Sequence, residues 1–319
     1  MYESYIVDVN NVAHILHGRY KNNDFVKVNN KNVYIELFKE FISFIDDTCD
    51  GSITTPIYFC FEGFTNKGAT KNPEYKDYSE YKNILNIRKK LESSYKANRD
   101  HKNESLQTFY NTINLIKYYY SVSASKYKIV TVANLEADDV AEAVLKYSCK
   151  DDSKTLLISN DLDWAKYIND KVDIYNLEEY INVEKFQNKY GYYPTEEAII
   201  FNKIVYGDKS DNLGSCFIGF DSKKKEKIFS SFKSTENFIN DYFKSPLFDL
   251  KDKEIIAENI PKIKRYYSIY KSLPLTEGHY FSILCLGRNV QKMRETILSL
   301  CDRNKTATFK FSKLKIPRI

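Results

Sequence analysis

The sequence predicts an α/β fold, a mostly parallel sheet flanked by helices and followed by a helical region. Three observations predict it. Short apolar runs alternate with stretches of helical spacing as far as residue 190, carboxylates sit at the carboxyl ends of those runs, and the strand signal stops beyond about Thr195. Residues 4–9 read as a strand ending in a carboxylate, and residues 33–45 carry helical spacing at Val33, Leu37, Phe38, Phe41, Ile42 and Ile45. A second strand at residues 56–61 runs into Glu62-Gly63, and a polar, basic stretch follows over about residues 64–105. Helical pattern returns at 106–120, then a strand at 127–132 and a helix at 136–147. Residues 155–159 form a buried strand, 163–168 a short helix, 172–175 a strand and 183–190 a helix. The segments after about Tyr206 all look helical, separated by Gly207, Gly214, Gly219, Pro246 and Pro274.

At 319 residues, the chain is long enough for about two domains of ordinary size. With 43% hydrophobic and 29% charged residues it is too apolar for wholesale disorder, and 10 glycines and 7 prolines exclude a collagen-like chain. No apolar run approaches the roughly 18 residues of a membrane span, and Met1-Tyr2-Glu3-Ser4 does not begin a leader. A soluble, intracellular protein is expected. Cys49, Cys60, Cys149, Cys216, Cys285 and Cys301 lie far apart without a CxxC pair, which argues for reduced thiols over a zinc site or disulfide framework.

Asp8 and Glu62 follow two of the expected strands, Glu136, Asp138 and Asp139 open a helix after a third, and Asp161 and Asp163 follow a fourth. Asp208 and Asp211 lie in Gly207-Asp208-Lys209-Ser210-Asp211-Asn212 at the start of the helical region. The carboxyl edge of an open α/β sheet is where ligands bind, so these nine carboxylates are expected to converge. Crowded carboxylates repel, and hard divalent cations with oxygen ligands offset that charge. Two Mg²⁺ ions, with Mn²⁺ as a substitute, could activate water and hold a scissile phosphate. An acid at a helix start is commonly only an N-cap, but five separated clusters at strand ends are harder to explain that way. The remaining residues carry a net charge of +14, from the overall +5 and the nine removed carboxylates.

Residues 64–105 hold ten Lys/Arg against six Asp/Glu, with Tyr75, Tyr78, Tyr81 and Tyr95 interleaved. Cations that bind phosphates beside rings that stack on bases suit single-stranded nucleic acid. Tyr81, Arg88, Tyr95, Lys96 and Arg99 are the expected contacts there. A second cluster, Lys223, Lys224 and Lys225, opens a helix whose N-terminus could grip duplex phosphates. His14 and His17 lie one helical turn apart without an acidic or cysteine neighbour and are assigned no role. Neither a P-loop nor a GxGxxG motif is present, which argues against ATP or NAD dependence. The 303–319 segment holds six basic side chains and no acidic one, a tail suited to polyanions or a partner.

The motifs Ile6-Val7-Asp8, Phe61-Glu62-Gly63, Tyr95-Lys96-Ala97-Asn98-Arg99, Glu136-Ala137-Asp138-Asp139, Ser159-Asn160-Asp161-Leu162-Asp163 and Gly207-Asp208-Lys209-Ser210-Asp211-Asn212 stand in this order. Together they resemble the 5′-nuclease superfamily, which includes flap endonucleases, the 5′ nuclease domain of bacterial DNA polymerase I and phage 5′→3′ exonucleases. The length, the Gly-Asp-Lys-x-Asp-Asn stretch and the Tyr- and Lys-rich C-terminal segments look most like the ribonuclease H of T-even phages. The resemblance implies a PIN-like core over residues 1–205 with a helical arch at about 64–105. It also implies a duplex-binding region with a helix-three-turn-helix over 206–302, and leaves 303–319 as the basic tail. By the same resemblance Asp8, Glu62, Glu136 and Asp138 serve a first metal, and Asp139, Asp161, Asp163, Asp208 and Asp211 a second. Lys96 and Arg99 would bind the scissile phosphate. Two departures stand out: Glu62 occupies a position where the family usually has Asp, and Gly214-Ser215-Cys216-Phe217-Ile218-Gly219 differs from the family's Gly-Val-x-Gly-Ile-Gly turn.

The expected function is a Mg²⁺-dependent, structure-selective 5′ nuclease, both exonuclease and flap endonuclease, acting on RNA primers or 5′ flaps in DNA replication or repair. Its partners would be DNA with 5′ flaps or RNA-primed ends and RNA/DNA hybrid, with a sliding clamp or single-strand-binding protein beside them. A monomer in the cytoplasm of a phage-infected host is expected, with no membrane association. The alternatives are a PIN-type ribonuclease of single-stranded RNA and a DNA-junction binder that has lost catalysis.

Overall fold

The computed structural model describes residues 1–19, 24–49, 53–62, 88, 90–97, 104–131, 135–149 and 152–271. Most of the arch expected at 64–105, including Tyr81 and Arg99, and the tail expected at 303–319 lie outside the described residues.

Three of the predicted strands are buried throughout because both faces of the sheet are covered. In chain order the strands are β1 (Ser4–Asp8), β2 (Val26–Val28), β3 (Lys31–Val33), β4 (Ile57–Phe61), β5 (Tyr127–Thr131), β6 (Thr155–Ile158), β7 (Val172–Tyr175) and β8 (Tyr180–Ile181). Six of them form one sheet in the order β5-β4-β1-β6-β7-β8, parallel except for the final β7–β8 pair. Side chains alternate between two cores along each central strand. Tyr5 and Val7 of β1, Phe59 of β4 and Leu156 of β6 enter one core, while Ile6, Cys60 and Leu157 enter the other. The first core is closed by helices Val9–Gly18, Ile35–Thr48 and Glu104–Ser123, and the second by Ala137–Tyr147, a 3₁₀ helix at Leu162–Tyr167 and Val183–Tyr190.

Three elements were not expected. Helix Val9–Gly18 follows β1 directly, its polar Asn10, Asn11, His14 and His17 having diluted the apolar spacing. The β2–β3 hairpin turns through Asn29 and Asn30, both at positive φ (48° and 61°), as asparagine tolerates. Strand β8 is only two residues long.

A third core lies beyond the sheet, built by helices Glu196–Tyr206, Ser222–Phe232, Thr235–Asp241 and Leu250–Tyr270. Phe201, Phe217, Phe232 and Phe248 surround the fully buried Phe238 with ring centroids 5.1–6.2 Å away. Helix Glu196–Tyr206 serves two cores, since Ile199 packs in the sheet's second core and Ile200, Phe201, Ile204 and Val205 in the third. The region is not wholly helical: Gly207–Asp208 and Leu213–Gly214 form a two-residue antiparallel ladder, β9 and β10.

Phe59 is fully buried at the centre of β4, stacked 4.1 Å from Tyr120 and tilted 6.5 Å from Phe41. Phe59→Ala removes a ring from between two layers and is expected to lower stability by about 3–5 kcal/mol, measurable by urea denaturation.

Candidate metal and phosphate site

The chain leaves β1 at its carboxyl end, between β4 on one side and β6 on the other, which is where a doubly wound sheet opens a crevice. Asp8 ends β1 and caps helix Val9–Gly18, its Oδ1 accepting from the Asn11 N–H at 3.1 Å. Its Oδ2 accepts from Ser159 Oγ at 3.0 Å. Ser159 in turn accepts the Asp161 N–H at 3.1 Å, and Asp161 Oδ1 caps the 3₁₀ helix by accepting from the Asp163 N–H at 3.0 Å. Asn11 Oδ1 accepts the Asn160 N–H at 2.8 Å and locks the two strand ends together. The N-cap role and the site role therefore coexist in Asp8 and Asp161, each of which caps a helix with Oδ1 and also lines the crevice.

A cleft of about 620 Å³ opens here. Asp8, Glu62, Glu136, Asp138, Asp161, Asp163 and Asp211 all line it, so seven of the nine expected carboxylates meet at one place. Asp139 and Asp208 do not line it; each is buried behind it, paired with a cation. Glu136, Asp138 and Asp139 can bring one carboxylate oxygen each to within 4.8 Å of one another, and are the group of three or more possible metal ligands found among the described residues. His14 and His17 also line it, His14 stacked 4.0 Å from Phe109 and His17 tilted 4.5 Å from Tyr34.

The loop at 207–212 is shaped by glycine. Gly207 has φ 88°, and a Cβ there would come within 2.7 Å of the Ser215 nitrogen, so no other residue fits without moving backbone. The turn it permits holds Asp208 Oδ1 against Ser210 Oγ (2.6 Å) and the N–H groups of Ser210 (2.8 Å) and Asp211 (3.2 Å).

Four cations answer these acids. Lys203, 6% exposed, pairs with Asp163 and, at 2.6 Å, with Asp208, and lies 4.4 Å from the Tyr270 ring centroid. Lys166 reaches Asp138 at 3.8 Å. Lys96 pairs with Glu136 and, at 3.5 Å, with Asp211. Arg88 pairs with Glu136 and, at 3.1 Å, with Asp139. Sequence reasoning missed Lys203 and Lys166, since a lysine in an amphipathic helix reads as solvated.

The acids respond unequally. Burial raises Glu136, but Lys96 and Arg88 overcome it and hold the carboxyl at about 2. Asp208 is likewise held at about 2, burial being outweighed by Lys203 and the hydrogen bonds of its own turn. Burial and the neighbouring Asp163 push Asp161 up to about 7 against the pull of Lys203. Burial, with Asp161 and Glu62 beside it, pushes Asp8 well above the usual carboxylate range. Asp139 and Asp211 stand at about 6, raised chiefly by burial. At the Asp8–Asp161 corner burial and neighbouring acids therefore oppose ionisation, the situation a bound cation would reverse. All the donors are hard oxygens, a set that fits divalent cations such as magnesium, manganese or calcium.

Several expected nucleic-acid contacts lie elsewhere. Arg88 and Tyr95 are 5% and 2% exposed, turned inward because the Glu136 carboxylate draws the guanidinium and the tyrosine hydroxyl (2.9 Å). Neither presents a surface to a nucleic acid. Lys224 is half-buried and donates to the Leu247 carbonyl and Asp252, both at 2.8 Å, so it fastens the fold instead of gripping a phosphate. Lys223 is exposed and Lys225 partly so. Lys96 lines the cleft.

The raised acids make stability depend on pH. Asp161, Asp139 and Asp211 have folded pKa values above those of an unfolded carboxyl, so between about pH 4 and 7 the folded chain binds more protons than the unfolded one. Their contribution favours the fold at low pH and is lost as pH rises through about 6–7. Glu136 and Asp208 have depressed values and act in the opposite sense, but only below about pH 5, where their unfolded counterparts still take up protons. The metal-free melting temperature is expected to fall from about pH 5 to pH 8, and less steeply in Asp161→Asn, as followed by calorimetry.

The chain matches the family described as "5′-3′ exonuclease, N-terminal resolvase-like domain" over residues 82–191. A 5′-3′ exonuclease of Buchnera aphidicola (subspecies Acyrthosiphon pisum) is 27% identical over 194 residues, covering 57% of this chain and 65% of that protein, so the match spans less than two thirds of the relative. The 5′-exonuclease of T5, solved with bound zinc, superposes with a TM-score of 0.57 at 16% identity, covering 93% of this chain and 98% of that one. The flap endonuclease of bacteriophage T5, solved as a pseudo-enzyme–product complex with DNA and metal ions, gives 0.56 at 18% identity, covering 94% and 99%. At that identity the likeness concerns the fold, a mostly parallel sheet of the PIN-like, resolvase type. The family match spans the Tyr95-Lys96, Glu136–Asp139 and Asp161–Asp163 motifs, about a third of the chain.

Proposed function

We propose that the protein is a divalent-metal-dependent 5′ nuclease that hydrolyses phosphodiesters near the 5′ ends of flapped or RNA-primed DNA. The convergence of seven carboxylates from five chain segments on one cleft, with Lys96 among them, carries this reading. Magnesium is the proposed metal, with manganese as a substitute. Asp8, Glu62, Glu136, Asp138 and Asp161, all of which line the cleft, would hold it. Bound there, a pair of divalent ions supplies an activated water and offsets charge on the departing oxygen.

The chain's own groups do the rest. Lys96 pairs with Glu136 and Asp211 when no substrate is bound, and a scissile phosphate entering the cleft offers it another anion. Exchanging Glu136 and Asp211 for the phosphate would place the ammonium where charge grows in the transition state. Arg99, outside the described residues, is proposed to join it. His14, Phe109 and Tyr110, which also line the cleft, supply less polar surface suited to the sugar and base flanking the bond. The helical region at 206–302 is proposed to hold the adjoining duplex, through Lys223 and Lys225 rather than Lys224.

The test uses matched 5′-flap and 3′-flap duplexes, incubated with Mg²⁺ or EDTA and sized on a gel. The expected result is cleavage near the 5′ junction only, abolished by EDTA, and slowed about 100-fold or more by Asp161→Asn with flap binding retained. Cleavage of unstructured RNA away from 5′ ends would instead establish a single-strand ribonuclease. Tight binding without cleavage in either Mg²⁺ or Mn²⁺ would establish a junction binder.

A further inference from the structure

Arg88 is a buried cation in contact with the site but not part of the cleft wall. Its Nη2 lies 3.1 Å from Asp139 Oδ1, and its Nη1 contacts Glu136 Oε2 and sits 3.4 Å from Asp139 Oδ2. One planar guanidinium therefore spans two carboxylates on the same helix start, a geometry an ammonium cannot reproduce. Asp139 Oδ2 also accepts the Glu136 N–H at 3.2 Å, so the arginine fixes Glu136 through both its side chain and its backbone.

Lys96 meets the same Glu136 from the other oxygen, and the two cations differ in situation. Lys96 lines the cleft, whereas Arg88 does not. Tyr95, between them in sequence, donates its hydroxyl to Glu136 Oε2 at 2.9 Å and packs in the third core. The segment is docked on the acidic loop by the Lys96 N–H to the Asp211 carbonyl (2.8 Å) and by Asn212 Nδ2 to the Ser94 carbonyl (2.9 Å).

We infer that Arg88 is a positioning residue that holds Glu136 and Asp139 in place permanently, so that Lys96 can leave Glu136 for another anion without stranding a buried charge. The arginine is the fixed partner and the lysine the exchangeable one. This rests on the proposed metal-dependent nuclease reading, and it assigns Arg88 a role exerted through Glu136 and not on the substrate. A buried carboxylate that lost both partners would rise in pKa or swing away, and either change would weaken metal binding.

The experiment compares the full chain with Arg88→Lys and Arg88→Ala, reading the metal-free melting temperature, Mn²⁺ affinity by titration calorimetry, and kcat and KM on a 5′ flap. Folded Arg88→Lys is expected to bind Mn²⁺ about 10–100-fold more weakly and to lose kcat, with KM for the flap changed by less than about twofold. Added guanidinium is expected to restore part of the Mn²⁺ affinity of Arg88→Ala, and ammonium is not. Wild-type Mn²⁺ affinity and kcat in folded Arg88→Lys would overturn the inference. Failure of both variants to fold would overturn it too, by making Arg88 a requirement of the fold alone. If the wild-type chain binds Mn²⁺ but cleaves no flap, the nuclease reading fails while the Mn²⁺ titrations still decide the role of Arg88.

Discussion

Like charges brought together under a protein surface must be balanced or neutralised, and the rest of this molecule is arranged around that constraint. Among the described residues four cations are drawn in from scattered places: Arg88 and Lys96 from the segment before helix Glu104–Ser123, Lys166 from the 3₁₀ helix, and Lys203 from the helix shared by two cores. None of these four pairs with Asp8, and there burial and neighbouring acids together suppress ionisation. A protein that needed only stability would have no use for such a corner, since apolar side chains of the same volume would fold as well or better.

The sheet makes this arrangement possible because its strands are parallel. Parallel strands deliver their carboxyl ends to one edge, and the crossovers between them start there, so each strand end is also a helix start or a turn. That is why one residue can serve twice: Asp8 and Asp161 cap helices with one oxygen while lining the cleft. The third core then closes the far side. Tyr270, at the end of the last described helix, lies over Lys203 and donates its hydroxyl to Asp208 at 3.4 Å, which seals the Lys203–Asp208 pair from solvent.

Much of this was legible from residues alone, for identifiable reasons. Strands such as Ile57–Phe61 are buried on both faces, so their apolar runs are continuous and their ends sharp. The carboxylates were conspicuous because polar residues directly after such runs are costly unless used. Helix Val9–Gly18 was obscured by polar residues that face the cleft, so function hid the periodicity that marks a helix. Arg88, Tyr95 and Lys224 were misplaced for a shared reason: composition along a segment gives its average exposure, not which cation finds a buried acid. Lys203 was invisible because its partners, Asp163 and Asp208, are 40 residues before it and 5 after it, and only folding joins them.

Trp164, the chain's single tryptophan, is 1% exposed and lines the cleft between Asp163 and Ala165. An indole held rigidly beside fixed charges has an emission energy set by the local electric field. The molecule therefore carries its own optical voltmeter: a cation settling among these acids changes the field across that ring, and the colour of its fluorescence reports the event without a label.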